Sequence, residues 1–272
     1  MANFTGGFGG LPQEIVDEIL EYLEDDRRTL KACSLTCKGL FCSARRIIHR
    51  RLYVVNPGGT DTLGRRRYEY GYHSQLRTFS TVVRCGLACY TQELTIAVGE
   101  EFTPVALWKH LSYFQMFARL TSLTLHHFSP TPFLPVFEQY FGHLAQQMRS
   151  LEFIQPSAPR DNMMYFICQF PNLDDLGFKP FPPQNLDPSK EYNMSSIQSS
   201  PTLGGTLRIM TRKGWSVDRL ECLTRLPSGL RFRSIEFLRC TGASPDVIIR
   251  ECAPTLQSLM HALYTCEFPP DT

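Results

Sequence analysis

Ten cysteines and seven histidines are the side chains of this 272-residue chain best suited to hold a metal or act as nucleophiles. Cys33 and Cys37, and Cys85 and Cys89, lie four apart on predicted helices, with His49 or His73 placed to complete a site. Zinc ligands usually come as Cys-x-x-Cys or closely related pairs, and this spacing does not match them. Cysteine also buries readily as a small apolar side chain, so no metal is expected. His126-His127 follow a predicted strand, but Phe128, Ser129 and Pro130 bring no acid beside them. No Gly-x-Ser-x-Gly elbow, phosphate-binding loop or Gly-x-Gly-x-x-Gly stands between a strand and a helix. The glycines of "GGFGGL" have no strand before them. The expectation is a chain without catalytic residues, metal or cofactor. Arg45, Arg46, Arg50, Arg51, Arg65, Arg66 and Arg67 form a basic cluster able to attract an acidic partner or a nucleic-acid backbone. The acids between Glu14 and Asp26 offset it, and a net charge of +2 is low for a dedicated nucleic-acid binder.

The elements that carry these side chains read as a globular protein, with 43% hydrophobic and 20% charged residues. No apolar run approaches the roughly 18–20 residues needed to span a bilayer, and "MANFTGGFGG" lacks the pattern of a secretory signal. Cytoplasm and/or nucleus, with reduced thiols and no membrane partner, is therefore expected.

Residues 1–10 are expected to be a flexible N-terminus. In "LPQEIVDEILEYL", Leu11, Ile15, Ile19 and Leu23 recur every four residues, and Val16 and Leu20 widen the stripe. Pro12 suits a first helical turn, where its missing N–H leaves nothing unpaired. Asp26 is placed to cap a second helix, about Arg27 to Leu35. A third is predicted from about Cys37 to Arg51, with Cys37, Leu40, Phe41, Ala44, Ile47 and Ile48 on its apolar face. Three helices in about forty residues bury little by themselves and need help from the following domain or from a partner.

The rest of the chain is repetitive. "LTSLTL", "MRSLEF", "LDDLGF", "FRSIEF" and "LQSLMH", with the weaker "TQELTI" and "GGTLRI", place an apolar residue at 94, 123, 151, 176, 207, 235 and 259. The period is irregular, 24 to 31 residues. Strand residues two apart share a side, so the last two apolar residues of each segment face one core. Helical faces are expected between them, from Leu107, Leu111, Phe114 and Ala118; from Phe133, Phe137, Tyr140 or Phe141, Leu144 and Met148; from Val217, Leu220 and Leu223; and from Val247, Ile248 and Cys252. Leu52–Val55 is a candidate edge strand, followed by a Gly-rich loop and a helix near Ser74–Cys89. A Pro- and Ser-rich stretch at 179–205 reads as a loop insertion. The expected fold class is α/β: a three-helix module at 11–51, then at 52–272 a solenoid of parallel strands with crossover helices.

"LPQEIVDEILEYLEDDRRTLKACSLTCKGLFCSAR", Leu11 to Arg45, resembles an F-box: Leu-Pro-x-Glu, Ile-Leu-x-x-Leu, a polar break, then Ser-Leu-x-Cys-Lys. Leu40 stands where that family often carries Trp, and Thr36 where Val is usual. The repeating segments resemble leucine-rich repeats, and the tandem is similar to the F-box/leucine-rich-repeat family. The resemblance implies a non-catalytic substrate receptor of an SCF-type ubiquitin ligase, joined to a cullin through the Skp adaptor. Leu11, Pro12, Ile15, Ile19, Leu20, Leu23, Leu35, Leu40 and Phe41 would then dock the adaptor. Strand alternation turns Thr95, Thr124, Glu152, Gly177, Arg208 and Glu236 outward as contacts for a protein substrate, and the two glutamates would favour a basic peptide. The alternatives are a repeat scaffold that joins no ligase, and a hydrolase or metal enzyme of unrecognised type.

Overall fold

The computed structural model describes residues 11–53, 57–60, 66–68, 79–97, 112–126, 128, 134–154, 160–179, 203–210, 231–238 and 246–262. His73, Arg65, His127, Leu107, Leu111, Phe133 and the predicted 217–223 helix lie outside them, as do residues 1–10 and 180–202.

Three helices open the chain: α1 Gln13–Glu21, α2 Arg27–Thr36 and α3 Lys38–Ile48. Asp26 caps α2, its carboxylate accepting from the Thr29 backbone N–H at 3.0 Å. Cys37, predicted on the inner face of α3, is instead its extended N-cap residue and is exposed. Val16, Leu20, Leu30, Leu40, Ala44, Ile47 and Ile48 close a core belonging to these helices alone, with Leu23 packed at its margin.

From α3 the chain passes into β1, Arg51–Tyr53, the edge of an eight-stranded sheet. A two-stranded antiparallel hairpin follows, β2 Pro57–Thr60 with β3 Arg66–Tyr68, where the sequence predicts a Gly-rich loop. The predicted helix near Ser74–Cys89 is observed as helix at 79–84 and a short 3-10 turn at Ala88–Tyr90. The sheet continues through β4 Glu93–Ala97, β5 Ser122–His126, β6 Ser150–Ile154, β7 Asp175–Lys179, β8 Thr206–Met210, β9 Ser234–Leu238 and β10 Ser258–Ala262. All eight strands are parallel and, the hairpin aside, adjacent in chain order. Lys179 belongs to β7, so the expected 179–205 insertion can begin only after it, and the described residues 203–205 at its other end are irregular, with Leu203 fully buried just before β8.

One hydrogen-bond device joins successive turns of the coil. Gln92 and Glu93 N–H both donate to the Arg50 carbonyl, Thr121 and Ser122 to Gln92, Arg149 and Ser150 to Thr121, and Asp174 and Asp175 to Arg149. The series resumes with Arg233 and Ser234 on Gly205, then Gln257 and Ser258 on Arg233. Its first acceptor, Arg50, lies two residues past the end of α3, so the helical module is built into the ladder of the parallel sheet. Gly205 suits its place because a Cβ there would meet the Asp174 carbonyl oxygen at 2.9 Å.

The register aligns Leu52, Leu94, Leu123, Leu151, Leu176, Leu207, Ile235 and Leu259 in one transverse row. A second row, buried throughout, runs from Ile96 through Leu125, Phe153, Phe178 and Ile209 to Phe237, whereas Leu259, which ends the first row, is exposed. Helices α4 Phe137–Ala145, α5 Arg160–Cys168 and α6 Asp246–Cys252 cover this face with Phe137, Phe141, Leu144, Phe166, Ile167, Ile248 and Cys252. Phe114 is buried as predicted, but Ala118 is exposed in a turn and Phe117 fills the core in its place.

Seven cysteines among the described residues are free thiols. Burial pushes Cys168 up to about 12, and burial likewise raises Cys252. Since the thiolate is the nucleophile, alkylation of native protein near pH 8 should label Cys37, Cys42, Cys85 and Cys89, which are exposed, and spare Cys168 and Cys252 until denaturant is added. Peptide mapping of the adducts checks this.

Candidate functional site

The helical module carries two apolar faces. Of the nine predicted docking residues, Leu20 and Leu40 are buried in the module's core and Leu23 is half-buried against it, so these three hold the bundle together. The other six lie outside: Pro12, with Leu11 at 44% exposure, Ile15 at 42%, Ile19 at 50%, Leu35 at 84% and Phe41 at 39%. Tyr22, which the sequence reading missed, is 85% exposed. It continues the α1 stripe of Leu11, Ile15 and Ile19 at helical spacing, and that continuation is the signal that would have found it. Leu35 in the last turn of α2 and Phe41 in the first turn of α3 flank the Cys37 joint. Such a patch, left exposed by the described residues of the sheet and its helices, is what an unpaired protein interface looks like.

Polar bonds fix α1 on α3 and so set the angle of that patch. Gln13 Nε2 donates to Ser43 Oγ at 3.0 Å, Ser43 donates to Asp17, and Arg46 pairs with Asp17 at 3.1 Å. Burial acts to raise the Asp17 pKa, but the bonds from Ser43 and Gln13 and the charge of Arg46 outweigh it and hold the carboxyl below its ordinary 3.8. Its folded pKa lies below its unfolded one. The stabilisation is therefore full above about pH 4 and lost as pH falls through the folded value. His49, at the end of α3, is held below its ordinary 6.5 by burial, then by Arg45, Arg27 and Lys31. Here the unfolded state takes up the proton first, so stability falls as pH drops below about 6.5. Amide exchange in α1 and α3 should accelerate on acidification before that of β5 and β6, and Asp17→Asn should remove the part of that loss that sets in below about pH 4.

On the sheet, the predicted substrate positions Thr95, Thr124, Glu152, Gly177, Arg208 and Glu236 form one continuous row in register, which Tyr53 and Met260, not predicted, extend at its two ends. Arg208 is exposed; Thr95, Thr124, Glu152 and Glu236 are half-buried; Gly177 is buried. The two carboxylates are not free for a basic peptide. Glu152 pairs with Lys179 at 2.9 Å and Glu236 with Arg208 at 3.1 Å. The Glu152 side chain lies over Gly177, where an added Cβ would meet its Cγ at 2.9 Å. The row offers hydroxyls and neutralised charge pairs.

The joint between the two faces is also polar. Arg51 lies 3.3 Å from Glu24, in the turn after α1, and 3.2 Å from Glu93, at the start of β4. Attraction to Glu93 and then Glu24 outweighs burial and raises the Arg51 pKa. Among the described residues no three His, Cys, Asp or Glu side chains converge as a metal site, and no helix is long and apolar enough to cross a membrane. No protein-family model matches the chain, and no curated protein matches it.

Proposed function

We propose that the chain is a substrate receptor of an SCF-type ubiquitin ligase, its N-terminal helices acting as an F-box and its repeats holding a protein substrate. The single observation that carries this reading is that Leu11, Ile15, Ile19, Tyr22, Leu35 and Phe41 stay exposed although the module has closed its own core. The motif residues divide accordingly, with Leu20, Leu23 and Leu40 shaping the bundle and the others meeting the Skp adaptor, which in turn brings the cullin. The chain contributes no catalytic group. It acts by holding the substrate row at a set distance from the transfer chemistry. Rigidity between the two faces comes from the Arg50 carbonyl, which accepts from Gln92 and Glu93, and from Arg51 between Glu24 and Glu93.

The test is calorimetry with purified full-length chain and purified Skp adaptor. A one-to-one complex in the micromolar range or tighter supports the reading. Failure of the folded wild-type chain to bind leaves a repeat scaffold outside any ligase.

A further inference from the structure

The exposed stripe of α1 has an acidic border. Glu14, Glu18 and Glu21 are exposed, and each directly precedes Ile15, Ile19 or Tyr22, so they line one side of those three apolar residues. No ion pair joins the three glutamates to a cation among the described residues. Four arginines of the module and its joint are engaged elsewhere. Arg27 donates to the Ile48 carbonyl, Arg45 stacks 4.9 Å over the Phe41 ring, Arg46 holds Asp17, and Arg51 lies between Glu24 and Glu93.

Solvated acids are common on an outer helix face, but these oppose the helix that carries them. Glu18 and Glu21 fall in the last turn of α1, at the negative end of its dipole, and no basic residue accompanies them there. Glu14 and Glu18 stand four apart, and Glu18 and Glu21 three apart, spacings at which like charges repel. In the free chain these charges therefore work against α1, and cations brought by a partner relieve both effects.

We propose that α1 docks a partner surface whose apolar contact is edged by lysine or arginine, set against Glu18 and Glu21. On the reading of this face as the adaptor's seat, on which this assignment rests, those cations belong to the Skp adaptor. An acidic occupant, a nucleic acid included, would meet the glutamates with charge of the same sign.

Calorimetry of the full chain with purified Skp adaptor, at about 50 mM and about 500 mM sodium chloride, tests this. Salt screens exposed charges and leaves apolar burial in place, so wild-type affinity should fall about tenfold across that range. Glu18→Gln with Glu21→Gln should weaken binding about fivefold at low salt and remove most of the salt dependence, while the melting temperature stays level or rises. A merely structural role would move melting and binding together. Glu18→Lys with Glu21→Lys should reverse the trend, so that affinity increases with salt. Glu138→Gln with Glu251→Gln, exposed on α4 and α6, changes the net charge equally and should leave affinity within about twofold. Wild-type affinity independent of salt, or a glutamine variant that binds as wild type does, overturns the cationic border and leaves the docking itself standing. No binding by the folded wild-type chain removes both.

Discussion

On the proposed docking, replacing Ile19 by Asp should weaken binding of the Skp adaptor at least about a hundredfold while leaving the thermal transition of the free chain unchanged. Burying an isoleucine against a partner is worth about 1.5–3 kcal/mol. A carboxylate forced into the same dry contact adds its own desolvation penalty, so together they exceed the roughly 2.7 kcal/mol that a factor of one hundred requires. Half of Ile19 is already in water in the free chain, so the same change costs the fold little. Leu20, its neighbour in sequence, provides the opposite control. It is 3% exposed inside the module, and Leu20→Asp should unfold the three helices. Binding lost through Leu20→Asp would therefore say nothing about the interface. Calorimetry with the adaptor, paired with melting curves of each variant, separates the two. Wild-type affinity in a folded Ile19→Asp chain would mean that the exposed stripe is not where the adaptor sits.

That contrast marks how far periodicity reaches. The α1 sequence shows apolar residues all along one side, and the helix is observed within two residues of the expected limits. Periodicity cannot tell which part of a wide stripe the chain covers itself. Val16 and Leu20 turn inward because α2 and α3 lie against them, a fact of tertiary packing and not of spacing. The strands were more legible, because alternation fixes inside and outside once a repeat has set the phase. The seven predicted segments are observed as strands, and Leu52 falls in the inward row of the predicted edge strand. Helix α5 was missed because "DNMMYFICQF" is apolar on nearly all sides. A helix buried all round has no wet face to set its period. The pairing of Glu152 with Lys179 and of Arg208 with Glu236 was also out of reach, since it depends on the register between strands distant in sequence.

The second large effect is expected in the solenoid core. Phe166, on α5, is 1% exposed and sits among Phe128 at 5.0 Å, Phe170 at 5.2 Å, Phe137 at 5.5 Å and Phe153 at 6.3 Å between ring centroids. Those rings come from the segment after β5, the turn just past α5, α4 and β6, so truncation opens a cavity shared by several successive strand–helix units. Phe166→Ala should cost about 3–5 kcal/mol, which lowers the melting temperature of a chain this size by roughly 10 °C. Each strand of this sheet pairs with its neighbours in chain order, so protection against amide exchange should fall most in β5, β6 and β7. None of these rings belongs to the core of α1–α3, which is closed by its own seven buried side chains. On the proposed docking, adaptor affinity at 20 °C should therefore stay within about twofold of wild type although the outward row of the sheet is loosened. Exchange measurements and calorimetry on the same preparation decide the matter. If α1–α3 lose protection together with β5–β7, the hydrogen bonds at Arg50 and the ion pairs of Arg51 make the two cores one cooperative unit.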